Sequence, residues 1–255
     1  MNGGAGLQDP IMGTLLILGF VSYTAFTLAC SRLRCGISRS RILVLYAVYQ
    51  VAFYVGSLLL YSMTHALEGG VDARSGFTQI GGFIAVSALI VILGVCWGGE
   101  SAKMYHLWIL GFFWSGVWGR IGCYMVGCCP GVPMGDVSGL LRWLGSGVNN
   151  ALGSAACLQQ YVVLDAFPFQ IISSLLFFVL ASVHLMLFLL RVDLVSLNLL
   201  SVVLYGGMRF FEAWIRVFHD SSAALLPISS FVGMLIVVLG IALLTHRIGR
   251  NGTLL

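Results

Sequence analysis

Long apolar runs separated by short polar breaks set the pattern of this chain. Taking about 20 apolar residues as one membrane crossing, seven spans are expected, at 11 to 30, 42 to 64, 79 to 98, 104 to 127, 169 to 191, 194 to 216 and 225 to 245. The break from Arg191 to Asp193 leaves room only for a tight helical hairpin, so the fifth and sixth spans should be antiparallel neighbours. From Cys129 to Pro168 the pattern changes. Leu140, Leu141, Trp143, Leu144, Val148, Ala151 and Leu152 recur at helical spacing, and Arg142, Asn149 and Asn150 supply polar positions. Such a helix either lies on the outer lipid surface or packs on the bundle as a folded cap, and both readings stay open at this point. The expected fold class is an all-α integral membrane protein: a bundle of about seven transmembrane helices with an outward-facing extramembrane cap between spans four and five. It forms a single polytopic membrane domain over 1–255, with the cap at about 129–168.

Composition agrees with the pattern. The chain is 59% hydrophobic and 9% charged, with a mean hydropathy of +1.00, whereas soluble domains carry roughly 25% charged residues. The net charge of +4 sits mostly in short breaks between spans. It therefore reads as a topology signal, not as a nucleic-acid footprint, and no nucleic-acid partner is expected. With the N-terminus outside, the inner loops and tail hold eight basic residues, Arg32, Arg34, Arg39, Arg41, Lys103, Arg191, Arg247 and Arg250. The outer side then holds three, Arg74, Arg142 and Arg216. That asymmetry favours an outer N-terminus and a cytoplasmic C-terminus. The opening MNGGAGLQDP has no Lys or Arg before the first apolar run, so no cleaved leader is expected.

Against this apolar background two charges stand out. Arg120 lies in WGRIGCYMVGCCPG, Trp118 to Gly131, and Arg209 lies in SVVLYGGMRFFEAWIR. An arginine at membrane depth costs at least ~2.5 kcal/mol unless it meets a partner or a wet cavity, which makes it a marker of function. Spans four and six run in the same direction, so both arginines fall in the outer half at similar depth. Arg209, Glu212 and Arg216 stand at i, i+3 and i+7 on one helical face, and Glu212 can neutralise one arginine in place, leaving a net-cationic site. Converging guanidinium forks suit a phosphate. Around them, Gln79, Gly81 and Gly82 open span three, Gly119, Gly122 and Cys123 flank Arg120, and Tyr205 precedes Arg209 by one turn. The bland alternatives are that Arg209 and Glu212 merely pair within their helix, that Arg216 snorkels to water, and that Gln79 makes a helix-to-helix hydrogen bond.

Seven cysteines are present. Cys30, Cys35 and Cys96 are expected as reduced, packed thiols. Cys128, Cys129 and Cys157 fall outside, where a bridge from the adjacent pair to Cys157 would staple the long loop to the bundle. No metal site is expected, because the C-x2-C spacing is missing and outer histidines are few; no cofactor is expected either. His65, His106, His184, His219 and His246 read as loop, interfacial or packing residues.

Taken together, these stretches resemble the prolipoprotein diacylglyceryl transferases. GRIGCYMVGCCPG, Gly119 to Gly131, is similar to the signature GRIGNFINGE; FPFQ, Phe167 to Gln170, stands where that family has Pro-x-Gln; and LYGGMRFFEAWIR stands where it has Tyr-Gly followed by an Arg-Phe-rich helix. The resemblance implies a seven-span enzyme of the bacterial inner (plasma) membrane that moves diacylglyceryl from phosphatidylglycerol to the lipobox cysteine of a precursor protein. It implies Arg120, Arg209 and Glu212 as catalytic, and phospholipid and lipobox precursor as partners. The departures fall on the chemistry: Cys123 stands at the family's first Asn, Cys128 at its Glu and Ile80 at its third-span His, and Glu212 is three residues after Arg209 where the family has four. Three other readings stand beside transfer. One is a non-catalytic anionic-lipid-binding protein of the same fold, another a thiol-redox membrane protein, and the last a transporter, for which no inverted repeat is visible.

Overall fold

Helices are the economical answer to an apolar environment because they satisfy their own backbone hydrogen bonds, and the described residues are helical with no strand among them. The computed structural model describes residues 10–30, 36–67, 79–96, 101–125, 131–137, 139–153 and 166–214, with Leu235 and Leu239. Helix α1 is Pro10–Cys30, α2 Arg39–Leu67, α3 Gln79–Cys96, α4 Ser101–Met125, α5 Gly139–Gly153, α6 Phe169–Leu189 and α7 Leu194–Trp214. Among the described residues three stretches, Ser40–Met63, Phe169–Leu189 and Leu194–Glu212, are long and apolar enough to cross a membrane. Most of the seventh expected span, 225 to 245, lies outside the described residues.

Helix α4 is not among the three, although it has 25 residues. The reason is its position. It packs against α1, α3, α6 and α7, and the run from His106 to Phe113 is buried all round. A helix sheathed by protein has no need of an apolar outer face, so α4 can carry His106 and Arg120 at low cost.

Small residues let these helices approach. A Cβ at Gly111 would lie 2.0 Å from a Tyr23 ring carbon of α1, and one at Gly116 would lie 2.7 Å from the Phe177 ring of α6. On the other side, Gly56 of α2 faces Ala85 and the Gly81 carbonyl of α3, while Gly82 faces Phe53 and Ser57. Such seams bring backbones together where lipid offers no hydrophobic driving force. The centre is aromatic: Phe83 stacks on Tyr205 at 4.4 Å and meets Trp108 at a tilt at 5.1 Å, and Phe112 meets Tyr205 edge-on at 5.2 Å.

Between α6 and α7 the chain turns back at once. Arg191 adopts φ 64, and Asp193 Oδ2 accepts from the Ser196 amide at 3.0 Å and from its hydroxyl at 3.1 Å, capping α7. The expected hairpin is present.

The long connection after α4 contains α5. Asn149 ties it down: its Oδ1 accepts from the Tyr124 hydroxyl at 2.8 Å, and its Nδ2 donates to the Ala166 carbonyl at 2.9 Å. A Cβ at Gly145 would press on the Phe167 ring. Arg142 folds back and donates to the carbonyls of Val137 and Gly135 at 2.5 and 2.6 Å. The opposite face shows Leu140 and Trp143, 70% and 71% exposed. Helix α5 is thus anchored on one side and apolar on the other.

The α1–α4 seam yields a direct test. Gly111→Ala should lower the thermal unfolding midpoint of the purified protein, costing about 1–3 kcal/mol for the forced displacement of Tyr23. Gly119→Ala, where a Cβ meets nothing within 4 Å, should leave the midpoint unchanged; equal behaviour of the two variants would refute the close packing.

Candidate functional site

Four helices bring polar side chains to one end of the bundle. Gln79 is the first residue of α3, Phe169 and Ser173 lie in the first turns of α6, Arg120 lies within two turns of the end of α4, and Tyr205, Arg209 and Glu212 form one face of α7. The centre is the Glu212 carboxylate, 2% exposed. Its Oε2 accepts from Arg209 and, at 3.5 Å, from Arg120 Nη2. Its Oε1 accepts from the Ser173 hydroxyl. One acid therefore joins two arginines from different helices, and a serine from a third helix steadies it.

Arg120 is 7% exposed and Arg209 8%. Arg120 Nη2 also donates to Gln79 Oε1 at 3.1 Å, and its guanidinium lies 5.4 Å from the centroid of the Phe169 ring. Those contacts offset the cost of holding a cation in a dry setting. The intrahelical pair of Arg209 and Glu212 exists, as the i, i+3 spacing suggests, but it is half of a larger cluster. Two arginines against one carboxylate leave the cluster one positive charge in excess among the described residues.

Two buried donors in the cluster have no acceptor among the described residues. Arg209 Nε is one and the Tyr205 hydroxyl is the other. Tyr205 is fully buried and close enough to interact electrostatically with Arg209, Glu212 and Arg120. An unmet buried donor costs about 1–3 kcal/mol, so a pair of them beside excess positive charge suits an incoming anionic acceptor.

The other expected site residues distribute as follows. Gly81 and Gly82 stand at the α2–α3 seam described above. Gly119 faces open space, Gly122 is buried, and Cys123 is partly buried one turn beyond Arg120. Ile80 is 3% exposed. Arg216, Cys128, Cys129 and Cys157 lie outside the described residues, as do His65, His219 and His246. No group of three or more metal-ligating side chains occurs among the described residues.

Sequence reasoning missed Ser173, whose only signal was a serine pair, Ser173 and Ser174, in an otherwise apolar helix. It also missed a second buried polar cluster toward the opposite end of α4. His106 Nδ1 and His184 Nε2 are 2.7 Å apart, His184 Nδ1 is 2.5 Å from Ser201 Oγ, and the His106 ring stacks on Phe188 at 4.1 Å. Of the expected alternatives, loop, interfacial or packing residue, these two histidines take the last, as a buried pair between helices.

Comparison with known proteins adds the following. The model of the family described as prolipoprotein diacylglyceryl transferase matches residues 11–246, most of the chain. No curated protein matches it.

Ser173 supplies the test of the cluster. Ser173→Ala removes a hydrogen bond to a charged, buried carboxylate and should lower stability by about 1.5–3 kcal/mol, read as a reduced thermal midpoint. Ser174→Ala, which loses a bond to the Val117 carbonyl, should cost less, about 0.5–1.5 kcal/mol. An inverted order would place the carboxylate elsewhere.

Proposed function

The chain belongs to the prolipoprotein diacylglyceryl transferase family, and from that premise we propose that it transfers diacylglyceryl from phosphatidylglycerol to the cysteine thiol of a lipobox precursor, with Arg120 and Arg209 holding the lipid phosphate. Membership, with the apolar helices, makes it a multi-pass membrane protein of the lipoprotein-biosynthesis class. The finer reading is supported chiefly by one observation. The two arginines converge from separate helices on a single carboxylate oxygen, and beside them Arg209 Nε and the Tyr205 hydroxyl lack acceptors among the described residues.

A phosphodiester supplies what this cluster wants. Its single negative charge cancels the excess positive charge, and its non-bridging oxygens can accept from guanidinium forks and from the tyrosine. The first turns of α3 and α6 meet at the cluster and add the positive ends of two helix dipoles. In the reaction a thiolate sulfur attacks the glyceryl carbon, the carbon–oxygen bond to phosphate breaks, and charge gathers on the departing phosphate. Donors already aimed at that position stabilise it without reorganisation.

In this reading the seven spans place the N-terminus outside and the C-terminus in the cytoplasm, and the cluster opens at the outer leaflet of a bacterial plasma membrane. The eight-to-three division of basic residues supports that orientation. Gln79, Gly119, Gly122, Cys123 and Arg216 are assigned to the surroundings of the lipid. A second reading, lipid binding without turnover, draws on Ile80, Cys123 and Cys128 at the family's His, Asn and Glu positions.

Purified protein given labelled phosphatidylglycerol and a lipobox peptide should form the thioether product; binding without product would select the second reading. Arg120→Lys and Arg209→Lys keep the charge but not the fork. Each should weaken phosphatidylglycerol binding in nanodiscs by about 1.5–3 kcal/mol, roughly 10- to 150-fold in Kd. The double variant should be less than additive if both hold one phosphate. Wild-type affinity in both single variants, measured against a zwitterionic-lipid control, would refute the shared receptor.

A further inference from the structure

Transfer to a thiol requires a proton acceptor, and Ile80 occupies the place where the family carries a histidine. Among the described residues the groups facing the cluster are Arg120 from α4, Arg209, Tyr205 and Glu212 from α7, Gln79 from α3, and Ser173 from α6. The two guanidinium groups are donors with no acceptor site, and neither the Gln79 amide nor the Ser173 hydroxyl is a base. His106 and His184 belong to the other polar cluster, and fourteen residues along α4, roughly 21 Å, separate His106 from Arg120. Glu212 is the anionic base of the site, yet both its oxygens are engaged by donors.

We propose that Glu212 is the general base of the transfer, held inactive by Arg120 and Arg209 and released when the lipid phosphate takes over those two arginines. The proposal rests on the transferase reading above and adds a role for the carboxylate. As the guanidinium groups turn to the phosphate oxygens, Oε2 loses two charged donors. It becomes a stronger proton acceptor, and its lone pairs open toward the acceptor thiol. The S–H proton then passes to the carboxylate, the sulfur–carbon bond forms at the glyceryl carbon, and the carbon–oxygen bond breaks with its electron pair leaving on phosphate.

Charge balance supports this assignment. Within the described cluster, two guanidinium cations face one carboxylate and one phosphate monoanion when the diester is bound, and that set is neutral. After transfer the released phosphate is a monoester dianion. The site remains neutral only if the carboxylate has become a carboxylic acid. Delivery of the thiol proton to Glu212 keeps the buried cluster neutral at both ends of the reaction, and no uncompensated charge is left in a medium where it is costly. The same logic keeps the base masked until lipid is present.

The test uses full-length protein in phosphatidylglycerol nanodiscs with a lipobox peptide, between about pH 6 and 9, across the ordinary thiol pKa of about 8.5. Glu212→Gln should bind phosphatidylglycerol at least as tightly as the parent, since a competing anion is gone. Its transfer rate near pH 7 should fall about 10²- to 10⁴-fold. The rate should then recover by about tenfold per pH unit as the thiol ionises by itself. A peptide with selenocysteine in place of cysteine, already ionised at neutrality, should restore transfer at pH 7. Ser173→Ala keeps all three charges but removes a donor to the carboxylate, so the acid limb of its rate profile should move to higher pH; this variant carries the test if Glu212→Gln does not fold. Near-parental transfer by Glu212→Gln would overturn the proposal. So would an equal loss with both peptides while lipid remains bound, or an unmoved Ser173→Ala profile. Those outcomes leave the lipid receptor standing, whereas parental protein that binds no phosphatidylglycerol would remove the receptor and the base together.

Discussion

One oxygen atom organises this end of the molecule. Glu212 Oε2 accepts from Arg120 of α4 and from Arg209 of α7, so the positions of two helices are set by a contact that neither helix makes alone. A lone arginine in an apolar bundle costs energy, and so does a lone carboxylate. Joined, and steadied by Ser173 and Gln79, they become tolerable. The described ion pairs put both arginines on the same carboxylate, two cations to one anion. The proposed lipid phosphate would meet that surplus, in a cluster whose arginines and carboxylate are all buried.

Tyr205 links the cluster to the core. Its ring stacks on Phe83 and lies edge-on to Phe112, so its position is fixed by the same aromatic packing that holds α3, α4 and α7 together. The hydroxyl at the end of that ring is then rigidly placed beside the arginines. A receptor built on a packed ring needs little reorganisation when charge arrives, which is the condition under which fixed dipoles are most effective.

What could be read from the sequence follows physical rules with different reach. Helix positions were legible because run length is a property of one segment: α3, α6 and α7 begin at the residues where the apolar runs begin. The arginines were legible because burying charge is expensive wherever it occurs, and the pairing of Arg209 with Glu212 was legible because i, i+3 is fixed by helix geometry. Contacts between helices were not. Ser173, His106 and His184 sit on helices that are apolar nearly all round, so periodicity does not say which face turns inward. Asn149 read as a polar position of a helix that could lie on the lipid surface or pack as a cap; in the structure both ends of its amide fix α5 to Tyr124 and Ala166. Rotation about the helix axis is the quantity that packing decides and composition does not.

The chain from His106 through His184 to Ser201 has a property that follows from counting hydrogens. A neutral imidazole donates from one nitrogen and accepts at the other. If Ser201 donates to His184 Nδ1, then His184 must donate from Nε2 and His106 must accept at Nδ1; if His184 donates to Ser201, every direction reverses. With both contacts made, neutral rings allow only these two tautomeric arrangements, and the choice at α7 dictates the choice at α4 across the intervening helix. The three helices therefore share one polarity, and a single proton relocation on the middle ring must be matched at both ends.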